Sequence, residues 1–196
     1  MRPAIHLHTF DSDMAVAWGQ AFKSDDRIQI IEGNILVGTA DAVVSPANSF
    51  GYMDGGIDLA YRNFFGMKVQ HRVRGKIHAD HFGELPVGQA VIVETDHPLL
   101  PFLIVAPTMR VPDRIGDTVN VYLAFRASLI AVIQHNKSTQ KRIETLRAPA
   151  LGTGVGGMPI DRAARQMQAA YASVFGESDW RDDPTQVLIH HENLRS

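Results

Sequence analysis

Cysteine is absent from the 196-residue chain, which excludes disulfides, thiolate metal ligands and cysteine nucleophiles together. Long apolar runs are missing too. Nothing approaches the roughly 18 residues of a spanning helix, and the opening Met1-Arg-Pro-Ala-Ile-His-Leu-His has neither the longer apolar stretch nor the cleavage site of a signal peptide. A cytoplasmic protein without membrane contact is expected. Excess charge is small, at a formal net −2, whereas proteins that grip nucleic-acid backbones carry a clustered basic surplus. The basic residues between Lys68 and Lys76 alternate with His and Val and read as the solvated face of a helix. No P-loop lysine pattern, G-x-S-x-G elbow or H-E-x-x-H helix occurs. His78 and His81 with Asp80, and His190 and His191 with Glu192, lack further ligands at helical spacing, so no metal is expected.

What remains is ordinary globular composition, 45% apolar and 20% charged, in a chain long enough for one full core and short for two. Residues 1–196 are therefore read as a single domain. Short segments rich in Val and Ile predict strands at 4–9, 27–31, 42–45, 89–94, 102–107, 145–151 and 186–190. Apolar residues at consecutive positions suit strands covered on both faces. Helices are predicted at 13–22 behind an Asp11 or Ser12 cap, at 57–65 ending at Gly66, and at 67–82. Two more follow, 118–135 with Tyr122, Phe125, Leu129, Val132 and Ile133 on one face, and 160–175 ended by Gly176. The polar 177–184 segment reads as a surface loop before the last strand. This alternation implies the α/β class, a three-layer α/β/α sandwich with a mixed, mainly parallel central sheet. Ligands of such sheets lie beyond the carboxyl ends of the strands.

Two tracts fall at that level. Asp41 to Asp58 runs from an apolar strand through a loop holding Gly51, Gly55 and Gly56 into a helix. Ala148 to Pro159 does the same through Gly152, Gly154, Gly156 and Gly157. Glycines let main chain approach a ligand closely, and helix-start N–H groups lack intrahelical partners, so each tract suits an anion. Two anion cradles together suggest a diphosphate.

In order and spacing, Gly33-Asn34-Ile35, Ser45-Pro46-Ala47-Asn48, Gly55-Gly56-Ile57-Asp58 and Gly152-Thr153-Gly154-Val155-Gly156-Gly157-Met158-Pro159 resemble the macrodomain family of ADP-ribose-binding modules, over about residues 27–190. The resemblance implies a macrodomain-like fold with ADP-ribose or an ADP-ribosylated protein as partner and no cofactor. Family activities span ADP-ribosyl hydrolases, ADP-ribose 1''-phosphatases and non-catalytic readers. The resemblance puts Asn34, with Ile35 beside it, where the family holds the adenine amino group through an acidic residue. An amide oxygen also accepts that bond, without the charge; an Asn in a turn is the plainer reading. Asn48 matches the residue on the distal ribose hydroxyls, or caps its own loop, while Ser45 and Pro46 depart from the family pattern.

By the same resemblance Gly55, Gly56 and Ile57 form the first diphosphate loop. Asp58 matches the acidic residue of hydrolytic members, where it positions or deprotonates water attacking the anomeric carbon; a carboxylate in a first helical turn also suits capping and the helix dipole. Asp54 stands where glycine is the family expectation. Beside a diphosphate it is repelled unless it points away or meets a cation such as a substrate guanidinium. Gly152, Thr153, Gly154, Val155 and Gly156 wrap the diphosphate and distal ribose from the other side. The family often supplies an aromatic residue for adenine after the last core strand, and His190 falls there, although a strand-end histidine is more often an ordinary surface residue. Phe50 and Tyr52 are alternative ring contacts near the distal ribose, and Phe50 equally suits the core. The competing class is an NAD-dependent oxidoreductase, since Gly152, Gly154 and Gly157 satisfy G-x-G-x-x-G. Against it, Glu177 and Asp179 precede the next strand instead of ending it, and the tract lies near the C-terminus.

Overall fold

The computed structural model describes residues 2–23, 25–176 and 180–196. Six strands, β1 (Ala4–Thr9), β2 (Ile28–Glu32), β3 (Ala42–Ser45), β4 (Val91–Glu94), β5 (Phe102–Val105) and β6 (Thr145–Pro149), form one sheet in the order β2-β1-β6-β3-β5-β4. All neighbours are parallel except β4 and β5. This is the mixed, mainly parallel α/β sandwich expected. The strands are short and apolar at successive positions because both faces are covered: Ala42 and Val44 enter one core while Val43 enters the other, and Phe102 and Ile104 oppose Leu103 and Val105.

The larger core is built with α1 (Ser12–Ala21), α4 (Asn120–Ser138) and α5 (Ile160–Phe175), around Trp18, Phe125, Leu129 and Met167. The smaller core takes Tyr61 of α2 (Gly56–Phe65) and Val69, Val73 and Ile77 of α3 (Met67–His81). Asp11 is the cap of α1, its carboxylate accepting from the N–H groups of Asp13 and Met14. In α3 the apolar row leaves Lys68, His71, Arg72, Arg74 and Lys76 exposed.

Helices α2 and α3 do not reach the whole of that second face. Over β6 the sheet is covered instead by the loop after β2, pinned by Arg147. This side chain is only 5% exposed. Its guanidinium donates to the carbonyls of Ile35 and Val37 at 2.8 Å each and of Thr39 at 3.1 Å. Burial lowers its pKa. A fork of fixed N–H donors can satisfy several loop carbonyls at once, which an ammonium could not do in the same geometry.

One element differs in kind. Residues 186–190, expected as a strand, lie within the helix α6 (Pro184–Arg195). Asp183 caps it by accepting from the Thr185 N–H at 2.8 Å, and Pro184 occupies the first turn, where its missing N–H costs nothing. The run Val187-Leu188-Ile189 suggests a strand by composition, yet all three stay exposed and Leu194 alone of α6 is buried. A short apolar run does not separate strand from helix, whereas the Asp-Pro start does. Ahead of α6, Trp180–Asp182 form a single 3-10 turn; Glu177 and Asp179 lie outside the described residues. Among the described residues no helix is long and apolar enough to cross a membrane.

Candidate ligand-binding site

A cleft of ≈ 340 Å³ opens at the carboxyl ends of the parallel strands, in the size range of small-molecule sites. Each strand end contributes. His8, Thr9 and Phe10 come from the end of β1, Gly33 and Ile35 follow β2, Pro46 to Asn48 follow β3, Thr108 and Met109 follow β5, and Pro149 and Ala150 follow β6. The two glycine loops complete the walls, with Asp54 to Asp58 on one side and Gly152 to Gly156 on the other. The tracts singled out in the sequence therefore converge although about a hundred residues separate them in the chain.

The first loop enters α2 through Gly55, which caps the helix in extended conformation with no side-chain hydrogen bond, followed by Gly56 at φ +54. That left-handed conformation favours glycine. Among the described residues the N–H groups of Gly56, Ile57 and Asp58 donate to no main-chain carbonyl, as befits a first turn. The second loop is folded on itself by Gly157 N–H to Gly154 O and Met158 N–H to Gly152 O, both 3.0 Å. Ile115 N–H adds a bond to Gly156 O at 2.8 Å. These bonds leave the N–H groups of Thr153, Gly154, Val155 and Gly156 without a carbonyl among the described residues. Fixed N–H groups of this kind, with a helix N-terminus on one side, make an anion-receptive cleft.

Asp58 sits beside that row. It is 7% exposed, and the Ser45 hydroxyl donates to its Oδ1 at 2.6 Å. Burial pushes its pKa up to about 6, the Ser45 bond opposes the rise, and the Asp54 carboxylate adds to it. One turn later Tyr61 donates to the Val44 carbonyl at 3.0 Å, tying α2 to β3. Burial raises the Tyr61 pKa and the neighbouring Asp58 charge raises it further, so the phenol keeps its proton. Since Gly55 holds the cap position, Asp58 is not the capping residue. Asp54 is exposed on the cleft wall.

Asn48 lines the cleft but also shapes its own loop. Its Nδ2 donates to Tyr52 O at 2.8 Å, and its Oδ1 accepts from Phe50 N–H at 3.1 Å and Tyr52 N–H at 3.3 Å. One amide proton is left over. Tyr52 lines the cleft with Arg74 4.4 Å over its ring; half-buried Phe50 is not part of the wall and carries Arg110 at 5.2 Å. Asn34 lies outside the wall, exposed, with its Oδ1 accepting from the Leu36 N–H at 2.9 Å, a local turn that leaves Gly33 and Ile35 of that motif in the cleft. His190 is displaced for the reason given for α6. Its ring stacks on Trp180 at 3.9 Å and 12° and meets Tyr122 edge-on, and it is not in the cleft wall.

Besides Tyr52, the wall holds the ring of Phe10, 83% exposed just beyond β1. Its signal was in the pattern Ile5-His6-Leu7-His8-Thr9-Phe10. Alternation sends Ile5 and Leu7 to the larger core and puts His6 and His8 on the other side, with Phe10 directly after the strand. Ser45 was legible only as a departure from a pattern, and its partnership with Asp58 came from the fold.

A mixed α/β sandwich that gathers two glycine loops and a buried carboxylate at its strand ends defines a ligand-binding domain for an anionic guest. Comparison with known proteins gives the family. The Macro domain model matches residues 44–167. An uncharacterized protein of Aeropyrum pernix is 32% identical over 165 residues, covering 84% of this chain and 78% of that protein. A DNA ADP-ribosyl glycohydrolase of Thermus aquaticus is 24% identical over 163 residues, 81% of this chain but 42% of that enzyme. A macrodomain of Oceanobacillus iheyensis solved with ADP has a TM-score of 0.60 at 22% identity, over 75% of each chain. The chain belongs to the macro domain family.

Proposed function

We propose that the cleft binds ADP-ribose and that the chain hydrolyses the bond between the distal ribose and a modified protein side chain or related conjugate. The observation that carries this reading is the pair of facing glycine loops with unpartnered N–H groups and a buried Asp58 beside them. The diphosphate lies between the loops. Asn48 offers its remaining amide proton to the distal ribose, and Phe10, not His190, supplies the ring face for adenine, with Ile35 and Pro149 as apolar walls. The names of relatives support ADP-ribose chemistry in this cleft, one solved with ADP and one called a DNA ADP-ribosyl glycohydrolase.

In the reaction, a water oxygen bonds to the anomeric carbon as the bond from that carbon to the leaving oxygen or nitrogen breaks. Asp58 takes the water's proton and releases it, through solvent, to the leaving oxygen or nitrogen, which returns Asp58 to its carboxylate form. With a pKa of about 6, Asp58 is mostly ionised at neutral pH yet close enough to it to accept a proton well. The loops contribute donors fixed before the substrate arrives, which stabilise charge without reorganisation. Asp54, on the same wall, faces a cationic leaving group if the linkage is to arginine.

Calorimetry with ADP-ribose tests the pocket, and a panel of Arg-, Asp/Glu- and Ser-linked substrates tests the chemistry. Heat on binding with turnover of at least one linkage is expected. Binding without turnover of any conjugate means a reader; no heat at millimolar ligand ends the reading. Hydrolysis should fall on the acid side of about pH 6 as Asp58 gains a proton. Ser45→Ala removes a bond that favours the ionised carboxylate, so the acid limb should move to higher pH. A limb that stays put or moves down assigns it to another group.

A further inference from the structure

On the reading that the cleft takes ADP-ribose, we propose that His8 reads the edge of the base, its free ring nitrogen accepting a hydrogen bond from the exocyclic amino group of adenine stacked on Phe10. His8 lines the cleft and is only 5% exposed, yet neither Nδ1 nor Nε2 has a hydrogen-bond partner. Buried polar groups are nearly always paired, and leaving one unpaired is costly. The unpaired Trp18 Nε1 differs in kind, since that ring lies in the larger core and outside the lining of this cleft. An apolar side chain would fill the His8 position without this cost. A ligand that supplies the missing partner explains why an imidazole stands there.

The strand sets the direction. β1 lies between β2 and β6, with His8 in register with Ile31 and Pro149. Alternation puts the His8 side chain opposite Leu7 in the core, and His8 and Phe10 both line the cleft. A large ring left 83% exposed at the cleft beside a buried polar ring fits a flat heteroaromatic guest, one face stacked and one edge hydrogen-bonded.

The protonation state favours an acceptor. Burial, then the charge of Arg147, then His6 push the His8 pKa down to about 4, so the ring is neutral at physiological pH. The Gly33 main chain pulls the other way, favouring a proton on the ring, although no formed hydrogen bond joins the two. A neutral imidazole with its proton toward Gly33 has its second nitrogen as an acceptor. Asn34, the position from which the amino group was expected to be held, has its amide oxygen engaged by Leu36 N–H and lies outside the cleft wall.

The test is titration calorimetry of the full chain with ADP-ribose and with an analogue whose adenine 6-amino group is replaced by hydrogen. Wild type should prefer ADP-ribose by about tenfold, the effect of one hydrogen bond of about 1.4 kcal/mol. His8→Phe should bind ADP-ribose about tenfold more weakly and lose the preference, while His8→Gln, which keeps an acceptor, should recover part of it. His8→Val, suited to a strand, gives the same readout if the ring variant folds poorly by thermal melting. A role in packing alone lowers affinity for both ligands equally. Wild type binding both ligands within twofold, or an apolar variant that keeps the preference, overturns the assignment of His8 and leaves ADP-ribose binding standing. Wild type binding neither ligand overturns both.

Discussion

Asp58→Asn is expected to cut hydrolysis of the preferred conjugate by about 10²- to 10⁴-fold, the range for loss of a general base, while ADP-ribose affinity changes by less than about threefold. Binding survives because the proposed diphosphate contacts are main-chain N–H groups. The same substitution should stabilise the fold, and the sign follows from the carboxyl itself. Its pKa is 3.8 in the unfolded reference and about 6 when folded, so the native state holds the proton more tightly. The group's contribution to stability is complete below about pH 4, is lost as pH rises toward about 6, and stays lost above it. At about 1.36 kcal/mol for each pH unit, the ionised carboxylate costs about 3 kcal/mol at neutral pH.

Asparagine removes the charge and retains a partner for the Ser45 hydroxyl, so much of that cost should disappear. A gain of about 2 kcal/mol raises Tm by about 4 to 8 °C in a chain of this size. Melts at pH 7.5 and pH 4 separate this from a general effect, because the gain should shrink at the lower pH, where Asp58 is protonated in wild type. Lower stability of the variant at pH 7.5 contradicts the burial account of the pKa. Unchanged turnover removes Asp58 from the chemistry. A stabilised, inactive variant is the pattern of a residue kept for function at the expense of the fold.

What the sequence made readable was mostly local. Strands at 4–9 and 42–45, the Asp11 cap and the Gly176 end of α5 were legible because their signals lie within a turn or two of the element. The glycine loops were legible because close main-chain approach restricts residue type at the position itself. Partnerships across the sheet were not. Ser45 and Asp58 meet because α2 folds back over β3, and no propensity at either position encodes that. Arg147 reads locally as a charge interrupting an apolar strand, and its purpose appears only when the loop after β2 closes over it. His190, the ring candidate after the last core segment, lies outside the cleft, while Phe10 after the first strand lines it, because β1 enters the sheet between β2 and β6. Pairing between distant segments decides which chain end borders a cleft, and a hydropathy pattern is blind to it.

The second glycine loop offers a contrast between two of its own positions. A Cβ at Gly156 would stand 2.6 Å from the Gly152 carbonyl oxygen and 2.7 Å from Ile115 Cγ1. The first of these is main chain and cannot rotate away, and Ile115 is itself held by its N–H bond to Gly156 O. Gly156→Ala should therefore force the loop open, costing about 1 to 3 kcal/mol as overpacking does, lowering Tm by several degrees and weakening ADP-ribose along with it. At Gly154 a Cβ meets nothing within 4 Å, and the residue lies on the cleft wall with no positive φ. Gly154→Val should leave Tm nearly unchanged while its branched side chain occupies the space proposed for the diphosphate. Affinity should fall at least tenfold, equivalent to about 1.4 kcal/mol. Calorimetry and melting on both variants give a two-way pattern, loss of fold and ligand together at Gly156 but of ligand alone at Gly154. Full affinity in Gly154→Val places the anion elsewhere and removes the second loop from the binding site.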